Sequence, residues 1–112
     1  MGCPFLDWVH AAADLGVNYF DSAEVYNEGR SETSLGLAMK DLSRDKLIVG
    51  TKISPSHCFP DQIAQHCEAS LKRLNTDYID IYMVHWPIHP HSIRHYTNDQ
   101  AIINNPPILE EA

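Results

Sequence analysis

Leu47-Ile48-Val49-Gly50-Thr51-Lys52-Ile53 is an almost unbroken apolar run, and its reading decides the fold. Such a run marks a strand covered on both faces, as in a parallel sheet flanked by helices. Pro55 stops it. Upstream, Leu35, Ala38, Met39 and Leu42 line one face of a helix that Ser31 is placed to cap, and Arg44 and Lys46 put positive charge at its end. Downstream, Pro60 is expected to open a helix carrying Ile63, Cys67, Leu71 and Leu74 on one face, with Asn75 as a left-handed terminator. Further out, Pro4, Phe5, Val9, Ala12, Ala13 and Gly16 predict a helix over residues 4–15. Val17-Asn18-Tyr19-Phe20, ending at Asp21, is a short strand, and Tyr78-Ile79-Asp80-Ile81-Tyr82-Met83-Val84 is another, closed by His85-Trp86-Pro87. The order is α-β-α-β-α-β. Strands alternating with helices in this way predict right-handed βαβ units on a parallel sheet.

Residues 1–87 therefore read as one α/β unit of three parallel strands and three helices, residues 88–107 as a long loop rich in His, Asn and Pro, and residues 108–112 as the start of an incomplete helix. The chain has 112 residues, enough for one domain at most. Eight Lys and Arg against 15 Asp and Glu give a net charge of −7, and no basic run exists to hold phosphates, so a nucleic-acid partner is not expected. No apolar run approaches the roughly 18 residues that cross a bilayer. Cys3, Cys58 and Cys67 show no C-x-x-C spacing, which fits a reducing compartment, and the cytoplasm is the expected location.

Asp21, Lys52 and His85 each stand at the carboxyl end of a strand. Parallel strands bring those ends to one mouth, where α/β barrels and open α/β sheets hold their active sites. Taken singly, Asp21 or Lys52 reads as a loop residue reaching solvent and His85 as a satisfied core histidine; three at equivalent positions point to a site. His89, His91 and His95 add to His85 as a candidate metal set, but Pro87 and Pro90 break any helix that would align them, and no metal is expected. Asp80, near the start of its strand, falls toward the face that serves stability.

Gly16-Val17-Asn18-Tyr19-Phe20-Asp21-Ser22-Ala23-Glu24-Val25-Tyr26, Ser31-Glu32 with Leu35-Gly36, Thr51-Lys52, Ser70-Leu71-Lys72-Arg73-Leu74-Asn75-Thr76-Asp77-Tyr78-Ile79-Asp80-Ile81-Tyr82 and His85-Trp86-Pro87 together resemble the first half of the aldo-keto reductases. The resemblance covers about residues 9–87 in order. It implies part of a (β/α)8 TIM barrel, an oxidoreductase that reduces small-molecule aldehydes or ketones, and NADPH as cofactor. The family's catalytic residues fall on Asp21, Tyr26, Lys52 and His85. Hydride reaching a carbonyl carbon leaves negative charge growing on oxygen, which must be protonated or hydrogen-bonded as it forms. Tyr26 would supply the proton. A free phenol has a pKa near 10 and needs a cation beside it to become a better acid, for which Lys52 is the candidate. Asp21 would hold that ammonium and border the cofactor, and neutral His85 would orient the carbonyl. Trp86 either lines a substrate pocket or shields the barrel rim.

Eight strands need about 250 residues, so three strands make a truncated barrel. The loops that grip the nicotinamide and the phosphates in relatives lie outside the match, and the chain alone is expected to be inactive. The family also includes non-catalytic subunits of ion channels. A binding or regulatory module, or an inert truncated product, therefore stands as the alternative to the enzyme.

Overall fold

The structure, a computed structural model, describes residues 4–112; Cys3 lies outside the described residues, as does the side chain of Phe5. Helix α1 (Pro4–Asp14), strand β1 (Tyr19–Asp21), helix α2 (Arg30–Met39), strand β2 (Ile48–Ile53), helix α3 (Ile63–Leu74) and strand β3 (Ile81–Val84) follow one another in the order read from the sequence. The sheet order is β1-β2-β3, and both pairings are parallel. Register runs from Tyr19 opposite Ile48 to Asp21 opposite Gly50, and from Gly50 opposite Ile81 to Ile53 opposite Val84. This is an open, partial α/β barrel sheet.

Alternation along β2 explains the layering. Val49 points to the helical side and is buried with Val9, Leu35, Ala38, Met39, Leu47 and Leu74, with Phe20 and Ile79 against the same cluster. On the opposite side, Tyr19, Ile48, Ile81 and Met83 stay exposed. Thr51 faces the helices and Lys52 the open side.

Two close approaches set the helix layer. A Cβ on Gly36 would stand 2.5 Å from the Arg73 carbonyl oxygen and 2.7 Å from the Leu74 carbonyl carbon, so only glycine lets α2 touch the α3 backbone. Glu32 of α2 is fully buried; it accepts a hydrogen bond from the Thr51 hydroxyl at 2.6 Å and one from Arg73 Nε at 2.8 Å. One carboxylate thus joins α2, β2 and α3. At the other end of the sheet the Asp80 carboxylate accepts the Val49 N–H at 2.8 Å and an Arg44 N–H at 2.9 Å, the structural place its position suggested.

Several boundaries differ from the sequence reading. Ser31 does not cap α2: Gly29, at φ 88°, precedes the helix, and Ser31 accepts a hydrogen bond from the Ser22 hydroxyl at 3.1 Å. Pro60 does not open α3; Phe59–Gln62 closes a turn of its own and the helix begins at Ile63. Asn75 does end it, at φ 53°. The stretch read as a long loop contains two short helices, α4 (Pro90–Ile93) and α5 (Gln100–Asn104), because His89 and Asp99 accept hydrogen bonds from the backbone N–H two residues on. Residues 109–111 form one 3-10 turn.

Replacing Gly36 by Ala must push α2 off α3 and should lower unfolding stability by about 1–3 kcal/mol, read from denaturant melts. The Val49 N–H, chiefly, and the Arg44 guanidinium hold the Asp80 carboxyl below its ordinary pKa. Asp80 therefore stabilises the fold above about pH 4, where an unfolded aspartate is ionised, and that contribution is lost as pH falls through the lower folded value. The stability gap between the wild type and Asp80→Asn should be full at neutral pH and shrink in acid.

Candidate active site

The carboxyl end of each strand delivers a side chain to the open mouth of the sheet. From the last residue of β1, Asp21 reaches Lys52 of β2, whose ammonium donates to Asp21 Oδ2 at 2.6 Å and to the Ser22 carbonyl at 2.7 Å. The parallel register makes this meeting unavoidable: Asp21 stands beside Gly50, two residues before Lys52 and on the same face. Beyond Asp21 the chain is stitched onto β2 by the Ser22 N–H to the Gly50 carbonyl at 2.9 Å and the Glu24 N–H to the Lys52 carbonyl at 3.2 Å. That stitching brings Tyr26 over the mouth. Lys52 Nζ lies 5.0 Å from the Tyr26 ring centroid.

Just past Tyr26 the backbone turns through three consecutive left-handed residues, Asn27 at φ 51°, Glu28 at φ 57° and Gly29 at φ 88°. For Asn27 and Glu28 this conformation is disfavoured by roughly 1–2 kcal/mol each. It folds the loop back into α2, leaving Tyr26 at the mouth and 41 % exposed.

His85 continues β3 through its N–H to the Ile53 carbonyl at 2.8 Å. Its ring meets Tyr26 edge to face, with centroids 5.4 Å apart. Its Nδ1 is buried and has no hydrogen-bond partner among the described residues. Burial, and next the Lys52 charge, push the His85 pKa below its ordinary value, so the ring is neutral at pH 7. Burial pulls Lys52 the other way from its partners, but the hydrogen bond and charge of Asp21, with smaller help from Tyr26, outweigh it and raise its pKa. A fixed cation, a phenol and a neutral imidazole thus converge where a carbonyl oxygen could accept hydrogen bonds.

All four residues singled out for catalysis, Asp21, Tyr26, Lys52 and His85, come together at this mouth. Trp86 lies at its edge, half exposed, 5.4 Å from the His95 ring and 6.2 Å from that of Tyr96. Tyr96, which the sequence reading missed, also stands 5.7 Å from His85. A tyrosine within a polar, proline-rich stretch was the available signal. Ser22 was missed as well, because its contribution is a backbone carbonyl that no side-chain pattern reveals.

The aldo/keto reductase family model matches residues 5–111. A methylglyoxal reductase of Escherichia coli is 40 % identical over 78 residues, which are 70 % of this chain and 27 % of that protein. A probable voltage-gated potassium channel subunit beta of Oryza sativa is 40 % identical over 88 residues, covering 70 % of this chain and 27 % of its own length. The crystal structure of an aldo-keto reductase from Klebsiella pneumoniae in complex with NADPH superposes with a TM-score of 0.70 at 37 % identity, covering 72 % of this chain and 28 % of that one. The chain thus spans between a quarter and a third of each of these proteins.

Asp21→Asn removes the interaction that holds the Lys52 ammonium. The Lys52 side chain should then titrate at lower pH than in the wild type, by 13Cε chemical shift. An unchanged Lys52 titration contradicts the pairing.

Proposed function

The chain belongs to the aldo/keto reductase family, and from that premise we propose that it carries the proton-donating part of an NADPH-dependent reductase of aldehydes or ketones. The observation that carries this reading is the contact of Lys52 with both Asp21 and the Tyr26 ring, beside a neutral His85.

The residues at this mouth suit the carbonyl group that would receive the hydride of NADPH, and not the cofactor's phosphates. They offer hydrogen-bond donors to a carbonyl oxygen, while the one ammonium that the described residues place there is already held by Asp21 and the Ser22 carbonyl. When bound, NADPH supplies the hydride. Tyr26 donates its phenolic proton to the substrate oxygen as charge develops there. Lys52 lies close enough to the ring to favour the phenolate that remains, and Asp21 keeps the ammonium in place. His85 fixes the direction of the substrate oxygen by a hydrogen bond. Trp86, with Tyr96 beside it, gives the substrate an aromatic wall.

On this reading residues 9–87 contribute to a barrel whose phosphate grip comes from elsewhere, and the chain alone neither holds NADPH nor turns over. A binding or regulatory module is the second reading, favoured by the similarity to a channel subunit.

A segment exchange separates the two. Residues 9–87 replace the corresponding segment of the Escherichia coli methylglyoxal reductase, and NADPH oxidation is followed with methylglyoxal. The chimera should turn over. Tyr26→Phe within it should lose at least about a hundredfold in rate while NADPH still quenches its fluorescence. A chimera that binds NADPH without turnover supports the module, and a Tyr26→Phe chimera at full rate removes Tyr26 from the acid role.

A further inference from the structure

Two residues before Tyr26, a second constellation takes no part in the proposed chemistry. We propose that Glu24, His57 and His66 form a binding site for a divalent transition-metal ion, with Zn2+ the best match. The three come from separate elements: Glu24 from the loop after β1, His57 from the 3-10 turn Pro55–His57 after β2, and His66 from α3. One donor atom from each lies within 4.8 Å of the other two.

The geometry centres on the Glu24 carboxylate, whose side chain is only 6 % exposed. Its Oε2 accepts the Ser54 N–H at 2.6 Å and His57 Nδ1–H at 2.9 Å, and its Oε1 accepts His66 Nδ1–H at 3.0 Å. A carboxylate can only accept, so both Nδ1 atoms carry protons in this arrangement. The two imidazoles are stacked, with centroids 3.9 Å apart and planes 10° from parallel.

A dication can take the place of the two Nδ1 protons that lie between the rings and the carboxylate. A neutral imidazole that shifts its proton from Nδ1 to Nε2 presents a lone pair, and an imidazolium does so by releasing a proton to water. Two neutral imidazoles and one carboxylate then face one ion, the 2-His-1-Glu set of known zinc sites with a fourth position for water. Zinc ligands at about 2.0–2.1 Å in a tetrahedron stand about 3.3 Å apart. The observed nitrogen-to-oxygen separations of 2.9 and 3.0 Å are within a few tenths of that. Nearly parallel rings do not aim both lone pairs at one point, so each ring must turn about its Cβ–Cγ bond. Their side chains are 36 % and 29 % exposed, which leaves room for that turn and an approach for the ion. Cys58 does not compete as a ligand in this arrangement, since its thiol is directed at the Ser54 carbonyl at 3.4 Å. The bound ion would pin the loops after β1 and β2 to α3.

The test titrates the 112-residue chain with Co2+, read by its visible absorption, and then displaces Co2+ with Zn2+. Wild type and the control His89→Gln/His91→Gln, which alters an exposed histidine pair elsewhere, should bind alike. His57→Gln and His66→Gln should each weaken Co2+ by at least about tenfold, and Zn2+ should raise the melting temperature of wild type and control but of neither variant. Both substituted side chains are partly exposed, so the test does not depend on Glu24→Gln folding. Absence of a Co2+ band in the wild type, or unchanged affinity in the two variants, overturns the proposal.

Discussion

A fully buried carboxylate ties the described structure together. Glu32 sits in the first turn of α2, takes a hydrogen bond from Thr51 in the central strand and is paired with Arg73 on α3. A buried charge deprived of its partner is disfavoured by about 3–5 kcal/mol, so three elements must stay together once the carboxylate is inside. Gly36, one turn further along α2, allows the helices the close approach that keeps Arg73 within reach. The pair is not a simple gain in stability, since apolar replacements of buried ion pairs often do as well. What it specifies is register. Thr51 can meet Glu32 only from the helical face of β2, and the alternation of a strand then sends Lys52 to the other face.

That alternation is how a structural contact becomes a chemical one. With Lys52 committed to the open face, the parallel pairing of β1 and β2 brings Asp21 to it without any contribution from the loops. Tyr26 is different. It stands on a loop held by two backbone hydrogen bonds to β2 and by a turn of three left-handed residues, a strained path that the neighbouring contacts must enforce. The cation and its carboxylate thus inherit their precision from the sheet, and the phenol inherits its own from the loop.

The same division decides what the sequence could reveal. The six leading elements and their order were legible because each rests on a local periodicity, with Leu47–Ile53 the plainest. The convergence of Asp21, Lys52 and His85 followed from parallel strands alone, whereas Tyr26 and the catalytic roles came only with the resemblance to a family. Element starts differ from the sequence reading where the turn before the helix sets the boundary. Ser31 has a capping side chain, yet the left-handed turn before α2 places Gly29 at the cap. Pro60 suits a helix start, but the turn begun at Phe59 delays α3 to Ile63. The Glu24, His57 and His66 cluster was invisible because its members are 33 and 42 positions from the carboxylate that gathers them. His89, His91 and His95 lie close in sequence, yet the donor cluster among the described residues is formed by Glu24, His57 and His66 instead.

The face that carries the proposed chemistry is also the least covered. Tyr19, Ile48, Ile81 and Met83 are exposed on the side of the sheet to which Asp21 and Lys52 point, and β1 and β3 each have one unpaired edge among the described residues. In a closed barrel this face is the packed interior and neither edge exists. Strand ends that serve catalysis need such a layer beneath them, because a mobile strand would spread the Asp21–Lys52 contact over many geometries. Closure of the sheet would therefore serve the proposed chemistry by fixing the strands that carry it. It is also why the Asp21–Lys52 pair, though made by two adjacent strands, draws its precision from the sheet as a whole.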